Sequence, residues 1–454
     1  MAAGKNRWAL VAGAGIAVFM AQLDATVVQV ALPTIEADFG TATSLSQWVV
    51  LAYVLPLIAL SLPSGRWLDG VGARAALTFA VTGFAVSSTA VGLAPGMGWL
   101  IAARVVQGGF GAVLFALVPV LATTAVRPEA RGRAMGVVMT LGPLGGVSGP
   151  LLGGLLVDTL GWPAIFYLNV PVGLLVIGIG LGQLPADRGL SLPDRSWAME
   201  TGLIGAAAIA VMLGLSLAAE GGPAWLLLLI AAVPFVAMWR RSASSEPVRE
   251  LFGARGMPGP HLALMLEMTA VMAVLFLVPF FLHQVAGATT AQIGVTMLAF
   301  PVMVMAFGFV SGVLADRFGA TRVVVTGSVI IAIGLLLLAP LSSTWSAGDL
   351  AWRLAVAGAG AGLFAGPNQT LAMARSPRHL LGTTGASTSL ARQLGIAFGP
   401  ALTTTVWSLA GDGVDGMRAA VLLAVVLAAS SGVVQRRRTS INREPVRTPV
   451  KTTA

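Results

Sequence analysis

One acidic residue, Asp24, lies inside a stretch that is otherwise apolar enough to cross a membrane. From Trp8 to Ala31 no other side chain is ionisable, and a membrane helix needs about 20 apolar residues. A charge near the centre of such a helix costs at least about 2.5 to 3.5 kcal/mol, so it usually faces a partner or a water-filled path. Asp24 is therefore a candidate proton-binding group. The competing interpretation is a carboxylate that reaches water at the helix end or only bonds a neighbouring helix.

Three other charged residues, Arg104, Glu267 and Arg392, also fall inside apolar stretches. Asp24 and Arg104 lie about six or seven residues from the same ends of their stretches, so a rise of ~1.5 Å per residue puts them at similar depth. The same reasoning places Glu267 and Arg392 near one level. We predict one pair in each half, with a role in proton coupling. Because arginine stays charged, only the carboxylates can carry the proton, and a purely structural role for each arginine is equally consistent.

The composition is that of a protein embedded in a bilayer. Hydrophobic residues make up 56% of the 454 residues and charged residues 10%, with a mean hydropathy of +0.88, whereas an average soluble domain is about 25% charged. The absence of cysteine excludes disulfides and thiolate chemistry, and three scattered histidines offer no metal-ligand cluster. There is no nucleotide-binding G-x-x-x-x-G-K-[ST] loop and no catalytic constellation. We expect neither an enzyme nor a bound cofactor.

Hydropathy and loop charge together predict fourteen membrane spans. They are 8–31, 46–64, 75–94, 98–121, 134–157, 164–184, 198–218, 223–239, 260–283, 291–313, 322–340, 350–373, 382–409 and 417–435. Basic residues concentrate in the loops on one side, and the opposite loops hold only Arg353 and Arg418. This asymmetry places both termini in the cytoplasm. It also accounts for the net charge of +9 without nucleic-acid binding.

A loop motif occurs twice, after the second and after the tenth predicted span. Each copy has a glycine, then an aspartate, a second glycine and an arginine. The residues are Gly65, Asp69, Gly72 and Arg74 in the first copy and Gly312, Asp316, Gly319 and Arg322 in the second. Glycine permits tight turns and close helix contact, and the aspartate can cap a helix or pair with an arginine across the molecule. We expect a conformational switch, in which Asp69 pairs with an arginine when the cytoplasmic side is closed.

The repeated motif divides the chain into two six-helix bundles with two helices between them. We place the N-terminal bundle at residues 1–185, the inserted helices and their linkers at 186–258 and the C-terminal bundle at 259–435. The remaining residues, 436–454, are basic and rich in Pro and Thr. We expect this tail to be disordered or to lie on anionic headgroups.

At these residues the chain resembles the major facilitator superfamily, whose loop signature is G-x-x-x-D-x-x-G-x-[RK]. The run from Arg104 to Gly111 is similar to its R-x-x-Q-G element, which proton-coupled members place near the proton path. The run from Gly142 to Gly154 is similar to the antiporter signature of exporters, G-x-x-x-G-P-x-x-G-G. Its residues here are Gly145, Gly149, Pro150, Gly153 and Gly154. We expect them to form a kinked, smooth helix face where the two halves meet.

Two further stretches resemble the fourteen-helix drug:proton antiporter branch, the EmrB/QacA-like multidrug exporters. Leu23–Pro33 is similar to L-D-x-T-[IV]-V-N-V-A-L-P, with Gln29 in place of the asparagine. Gly161–Gly173 is similar to W-R-W-I-F-x-I-N-V-P-I-G, with Ala164 and Ile165 as departures. The resemblance implies an all-α membrane protein of fourteen helices, built as two six-helix bundles plus two inserted helices.

Polar and aromatic residues on the predicted cavity helices are candidates for an adaptable substrate pocket. They are Gln29, Tyr53, Gln107, Phe115, Phe276, Phe280, Asn368 and Gln369. For the phenylalanines, a position in the core or against lipid is the commoner alternative.

These observations predict a proton-coupled antiporter that exports hydrophobic or amphipathic small molecules, such as drugs, antibiotics or secondary metabolites. Asp24 or Glu267 would exchange protons against substrate as a cavity opens and closes. The alternatives are a symporter for a nutrient or organic anion and a membrane receptor that transports nothing. We expect a monomer in a bacterial plasma membrane, with protons, a small-molecule substrate and lipid as its partners.

Overall fold

The structure, a computed structural model, describes residues 6–440 except residues 42, 47, 188, 222, 343 and 412. Regular structure in this part of the chain is helical throughout. A helix satisfies its own backbone hydrogen bonds, which lipid cannot do, and the Ala-, Leu- and Val-rich stretches supply the apolar surface. Glycine and proline separate the helices. Gly40, for example, ends the first helix in the left-handed conformation at φ 59°, which glycine adopts without strain.

The first half of the chain forms a bundle around one apolar core. Its helices are α1 Trp8–Phe39, α2 Thr43–Ser46, α3 Trp48–Ala59, α4 Ser61–Asp69, α5 Ala73–Gly92, α6 Met97–Thr124, α7 Arg131–Leu160, α8 Pro163–Tyr167 and α9 Asn169–Gln183. The pair α3 and α4 bends by 45°, and α7 bends by 45° between Gly149 and Leu151. A proline at position 150 removes a backbone donor and explains the bend in α7.

Between the two halves, the described residues form two long helices, α10 Arg195–Gly221 and α11 Leu228–Arg241, and the short helix α12 Glu246–Gly253. α10 packs against α11 and against α3 of the first bundle. Arg66, in the first copy of the repeated motif, forms ion pairs with Asp194 at 3.1 Å and Glu200 at 3.2 Å. This loop therefore fastens the start of α10 to the N-terminal bundle.

The second half forms a separate bundle with its own core. Its helices are α13 Pro258–Gln284, α14 Thr290–Phe318, α15 Ala320–Leu336, α16 Ala347–Arg375, α17 Leu381–Leu409 and α18 Val414–Ser440. Reciprocal capping boxes begin α14, at Thr289 and Gln292, and α16, at Ser346 and Asp349, and satisfy the first backbone donors of these helices.

Each of the fourteen predicted spans overlaps one of these helices or two that follow each other in the chain. Within the described residues, seven helices are individually long and apolar enough to cross a membrane, or nine if each bent pair is one span. The number of spans and the cytoplasmic termini stay predictions. The predicted disordered tail begins at residue 436, but the backbone of α18 is helical up to Ser440. The rest of the predicted tail lies outside the described residues.

The two bundles meet at the end of the molecule that carries the arginine-rich loops, which we call the basic end. There α7 packs against α14, and α4 packs against α17. The opposite end, where α1 runs beyond Asp24, is the far end.

Candidate functional site

Asp24 lies at the centre of a buried polar network in the N-terminal bundle. The residue is 1% exposed. Arg104 donates to Oδ2 at 2.5 Å, and Gln107 and Asn169 each donate to Oδ1 at 2.9 Å. The apolar residues of α1 before and after Asp24 belong to separate core clusters, so the network lies between two apolar layers. The predicted pairing of Asp24 with Arg104 is confirmed.

Arg104 is completely buried and held on several sides. It donates to the backbone carbonyl of Val49 at 3.1 Å and to Oε1 of Gln107 at 2.8 Å. Its Cζ lies 4.4 Å from the ring centre of Tyr53 and 5.8 Å from that of Phe166, within the range of cation–π attraction. Buried ion pairs need such additional bonds to offset desolvation, so these neighbours fix the geometry of the pair.

Tyr53 and Gln107 were predicted to face a substrate cavity, and the structure corrects this placement. Both are buried inside the N-terminal bundle, on the sides of α3 and α6 that face Asp24. Asn169 was not predicted. It also donates to Oγ of Ser88 at 2.8 Å, and its only sequence signal is its place within the stretch Gly161–Gly173.

Glu267 is fully buried in the C-terminal bundle, between α13, α15 and α18. Oε2 accepts a hydrogen bond from Ser431 at 2.6 Å, and Ser431 lies 2.9 Å from Oγ of Ser328. Within the described part of the chain, Oε1 makes no hydrogen bond. The predicted pair with Arg392 is wrong, because Arg392 points away to Sδ of Met139 at 3.7 Å. The two residues share a depth but lie on faces of their helices that do not meet.

A cavity of about 80 Å³ lies between the two halves. The N-terminal bundle lines it with α1, α6 and α7, and the C-terminal bundle with α16 and α17. The lining residues are Val18, Gln22, Phe115, Val118, Pro119, Val138, Met139, Gly142, Pro143, Gln369, Gly385, Thr388, Ser389 and Arg392. We call this space the central cavity. Arg392 is the one charged residue among those that line it.

Two of the predicted cavity residues, Phe115 and Gln369, do line the central cavity. Gln369 donates to Oγ1 of Thr388 at 3.0 Å. Gln22 and Ser389 were not predicted there. Gln22 shares α1 with Asp24, so a movement of α1 would act on both the cavity and the buried network.

The remaining predicted cavity residues lie elsewhere. Asn368 is buried inside the C-terminal bundle, where it accepts a hydrogen bond from Gln435 at 2.7 Å. Phe276 and Phe280 contact each other with ring centres 5.0 Å apart. Gln29 is exposed on α1. These residues were predicted from the helices on which they lie, and that information does not give the direction in which a side chain points.

The two motif aspartates bind opposite halves in the same manner. Asp69 accepts the backbone N–H groups of Gly382 at 2.5 Å and Thr383 at 3.0 Å, at the start of α17. Asp316 accepts those of Gly132 at 2.9 Å and Arg133 at 3.2 Å, at the start of α7. These contacts, which we call the clasp, satisfy free helix N-terminal donors and place negative charge at the positive end of each helix.

The clasp corrects the predicted partner of Asp69. The hydroxyl group of Thr383 also donates a hydrogen bond to that carboxylate, with Oγ1 2.5 Å from Oδ2, so its described partners are helix-terminal groups rather than an arginine. Within the described part of the chain, an arginine pairs with the aspartate of the second copy alone, where Nε of Arg133 lies 2.9 Å from Oδ2 of Asp316.

The motif glycines allow the backbones to touch at the basic end. A Cβ on Gly65 would lie 2.6 Å from the carbonyl oxygen of Gly382, and one on Gly312 would lie 2.6 Å from that of Gly132. The other motif members act locally. Arg74 donates its backbone N–H to Asp187 at 2.7 Å.

Three motif residues form or follow turns. A Cβ on Gly72 would collide with the side chain of Asp187. Gly319 has φ 88° at the end of α14, a conformation that favours glycine, and Arg322 follows in the first turn of α15. The described contacts give these residues a structural role in the loops.

The antiporter-like stretch of α7 packs against α1 within the same bundle, not across the halves as predicted. A Cβ on Gly145 would lie 2.3 Å from the carbonyl oxygen of Phe19, and one on Gly153 would lie 2.7 Å from Val27. The glycines of α7 that contact the other half, Gly132 and Gly136, come earlier in the helix and face Gly308 and Gly312 of α14. The sequence motif therefore fixes α1, which carries Asp24.

Gly149→Leu is expected to reduce transport at least tenfold by displacing α1. Even the first side-chain carbon would lie 2.0 Å from Oγ1 of Thr26 and 3.0 Å from the backbone nitrogen of Val27. The matched control is Gly154→Leu, because nothing lies within 4 Å of a Cβ there. Transport in reconstituted vesicles and thermal unfolding of the purified variants give the measurement. Equal behaviour of the two variants would contradict close packing at Gly149.

Comparison with known proteins agrees with this architecture. The profile of the Major Facilitator Superfamily matches residues 14–400. The riboflavin transporter of Clostridioides difficile is 28% identical over 400 residues, covering 87% of each chain. The tetracenomycin C resistance and export protein of Streptomyces glaucescens is 30% identical over 407 residues, covering 87% of this chain and 75% of that protein.

A solved structure of a proton:xylose symporter has the same fold. It superposes with a TM-score of 0.69 at 14% identity, over 95% of each chain. The family match agrees with the two bundles around a central cavity and with the apolar helices of membrane-spanning length. This chain belongs to the major facilitator superfamily and is a multi-pass membrane transporter of small molecules, not an enzyme.

Proposed function

We propose that this transporter is a proton-coupled antiporter of the fourteen-helix drug-exporting branch, which moves hydrophobic or amphipathic molecules out of the cell. The observation that carries the proposal is that α1 holds both the buried carboxylate of Asp24 and a residue of the central cavity, Gln22. A movement of this one helix would therefore act on both. The tetracenomycin C relative, which is named for resistance and export, supports export.

The clasp supports a mechanism of alternating access. With Asp69 and Asp316 bound to the opposite halves, the central cavity is closed toward the basic end, which by the positive-inside rule is the cytoplasmic side. Releasing both caps would let the halves rock and expose the cavity there. In this scheme the closed basic end is the state that delivers substrate outward and takes up a proton.

The two buried carboxylates have different surroundings and therefore different proposed roles. Asp24 has a cationic partner and two amide donors, so a proton arriving on it would weaken its bond to Arg104 and free α1 to move. Glu267 has Ser431 as its donor and no cation within 4.0 Å among the described residues. We assign Asp24 as the coupling carboxylate and Glu267 as a second, supporting proton site.

A second candidate is a symporter for a nutrient, because one relative that matches over 87% of its own length is named a riboflavin transporter. Family membership disfavours the non-transporting receptor considered from the sequence. The test is purified protein in vesicles with an imposed pH gradient, following substrate and proton flux together. Opposite movement of substrate and protons supports export, while movement in the same direction would establish the symporter.

Glu267→Gln is expected to slow proton-driven transport about three- to tenfold without abolishing it. Glutamine keeps the volume and can still accept the hydrogen bond from Ser431, but it cannot take up a proton. The measurement is initial efflux rate at several imposed gradients, with Ser431→Ala as a control that removes the hydrogen bond and keeps the carboxyl group. Complete loss of coupling in Glu267→Gln would transfer the main role from Asp24 to Glu267.

A further inference from the structure

Arg392, the cation of the central cavity, has no anionic partner among the residues that the structure describes. Among the described residues, its guanidinium makes one hydrogen bond, from Nη2 to Sδ of Met139 at 3.7 Å, and a thioether is a weak acceptor. Neither Asp24 nor Glu267 belongs to the lining set, and that set contains no carboxylate. Arg392 is half-buried, and an arginine withdrawn from bulk water without a carboxylate beside it is unusual, because charges that lose hydration are normally paired.

The neighbours of Arg392 suit a ligand with an acidic group on an apolar body. Gln22, Gln369, Thr388 and Ser389 add uncharged donors and acceptors, and the remaining lining side chains are apolar, with Phe115 the largest. Guanidinium binds a carboxylate by two parallel hydrogen bonds, one to each oxygen. A cationic ligand would meet repulsion from Arg392 and find no opposite charge in the lining set.

We propose that the transported substrates are organic anions, amphipathic molecules whose acidic group binds Arg392 in the central cavity. This inference rests on the proposed transport function and narrows its substrate class. It also changes the role of Arg392 from the proton coupling predicted from sequence to substrate binding. At about 80 Å³ the cavity is smaller than the roughly 300 Å³ or more that a drug-sized ligand needs, so the ligand body enters once the halves separate.

The experiment uses three probes with one aromatic body: anthracene-9-carboxylate, the neutral anthracene-9-carboxamide and the cationic 9-(aminomethyl)anthracene. Binding to the purified full-length protein is measured by quenching of tryptophan fluorescence, which does not depend on a pH gradient. Transport of the same probes is then followed in vesicles. The variants are Arg392→Gln and Arg392→Lys. The control is Arg255→Gln, which removes the same charge from an exposed loop.

The wild type and Arg255→Gln are expected to bind the carboxylate more tightly than the amide or the amine. Arg392→Gln should weaken carboxylate binding roughly ten- to hundredfold, as expected for a lost charge-assisted hydrogen bond, and leave amide binding within about twofold. Arg392→Lys should retain part of the preference. A variant that loses binding of all probes equally, or a wild type that binds the carboxylate no tighter than the amide, overturns the proposal. A carboxylate preference without any proton flux would uphold it and refute the proton coupling instead.

Discussion

Asp24→Asn is expected to abolish proton-driven efflux. Asparagine has the size of aspartate but cannot take up or release a proton, so the cycle in which a proton separates Asp24 from Arg104 cannot run. The measurement is substrate and proton flux in vesicles with an imposed pH gradient, with exchange of substrate against substrate as a second readout. We expect coupled flux to fall to background.

The structure adds a consequence that the sequence did not suggest. Asp24→Asn leaves the guanidinium of Arg104 buried without its counter-ion, and breaking a buried pair in this way typically costs 3 to 5 kcal/mol. Loss of transport in the single variant could therefore come from loss of the fold. Its thermal unfolding must be measured beside its flux.

The double variant Asp24→Asn with Arg104→Gln separates the two effects. It removes both charges and leaves neutral groups beside Gln107 and Asn169, so most of the lost stability should return. If Asp24 carries the proton, the double variant stays uncoupled although it is folded. Proton-coupled efflux in the double variant would show that the pair is only structural.

Removing both clasp aspartates, as Asp69→Ala with Asp316→Ala, is expected to open the basic end. Each carboxylate caps a helix N-terminus of the opposite half, and such a cap contributes roughly 1 to 2 kcal/mol. Losing both would shift the balance between closed and open states by about 2 to 4 kcal/mol, roughly 30- to 1000-fold. Because the caps form only when the basic end is closed, the shift favours the open state.

Distance measurements between spin labels test this directly. The chain has no cysteine, so single cysteines at Glu129 and Arg378, both exposed at the basic end in opposite halves, give specific attachment without further changes. The double alanine variant should show a longer and broader distance distribution. Asp415→Ala, which removes an exposed carboxylate bound to Arg418, should not. An unchanged distribution in the double variant would refute the clasp as the element that closes this end.

Some features of this protein were determined by its sequence alone. The excess of apolar residues requires a membrane-embedded helical chain, and the repeated loop motif required two related halves. The match between Asp24 and Arg104 was also predictable, since residue counting gives depth along a helix at ~1.5 Å per residue. Both residues happen to face the interior of one bundle, so depth was sufficient in this case.

The direction in which a side chain points around its helix was decided only by tertiary packing. Glu267 and Arg392 share a depth, yet one faces Ser431 within its bundle and the other faces the central cavity. Gly149 belongs to a motif expected between the halves, yet it contacts α1 of its own bundle. Helices that are apolar on every side carry no periodic signal for which face is buried. The rotation of each helix about its own axis is set by close contacts with helices distant in sequence. Those contacts decided which side chains pair with each other and which residues line the cavity.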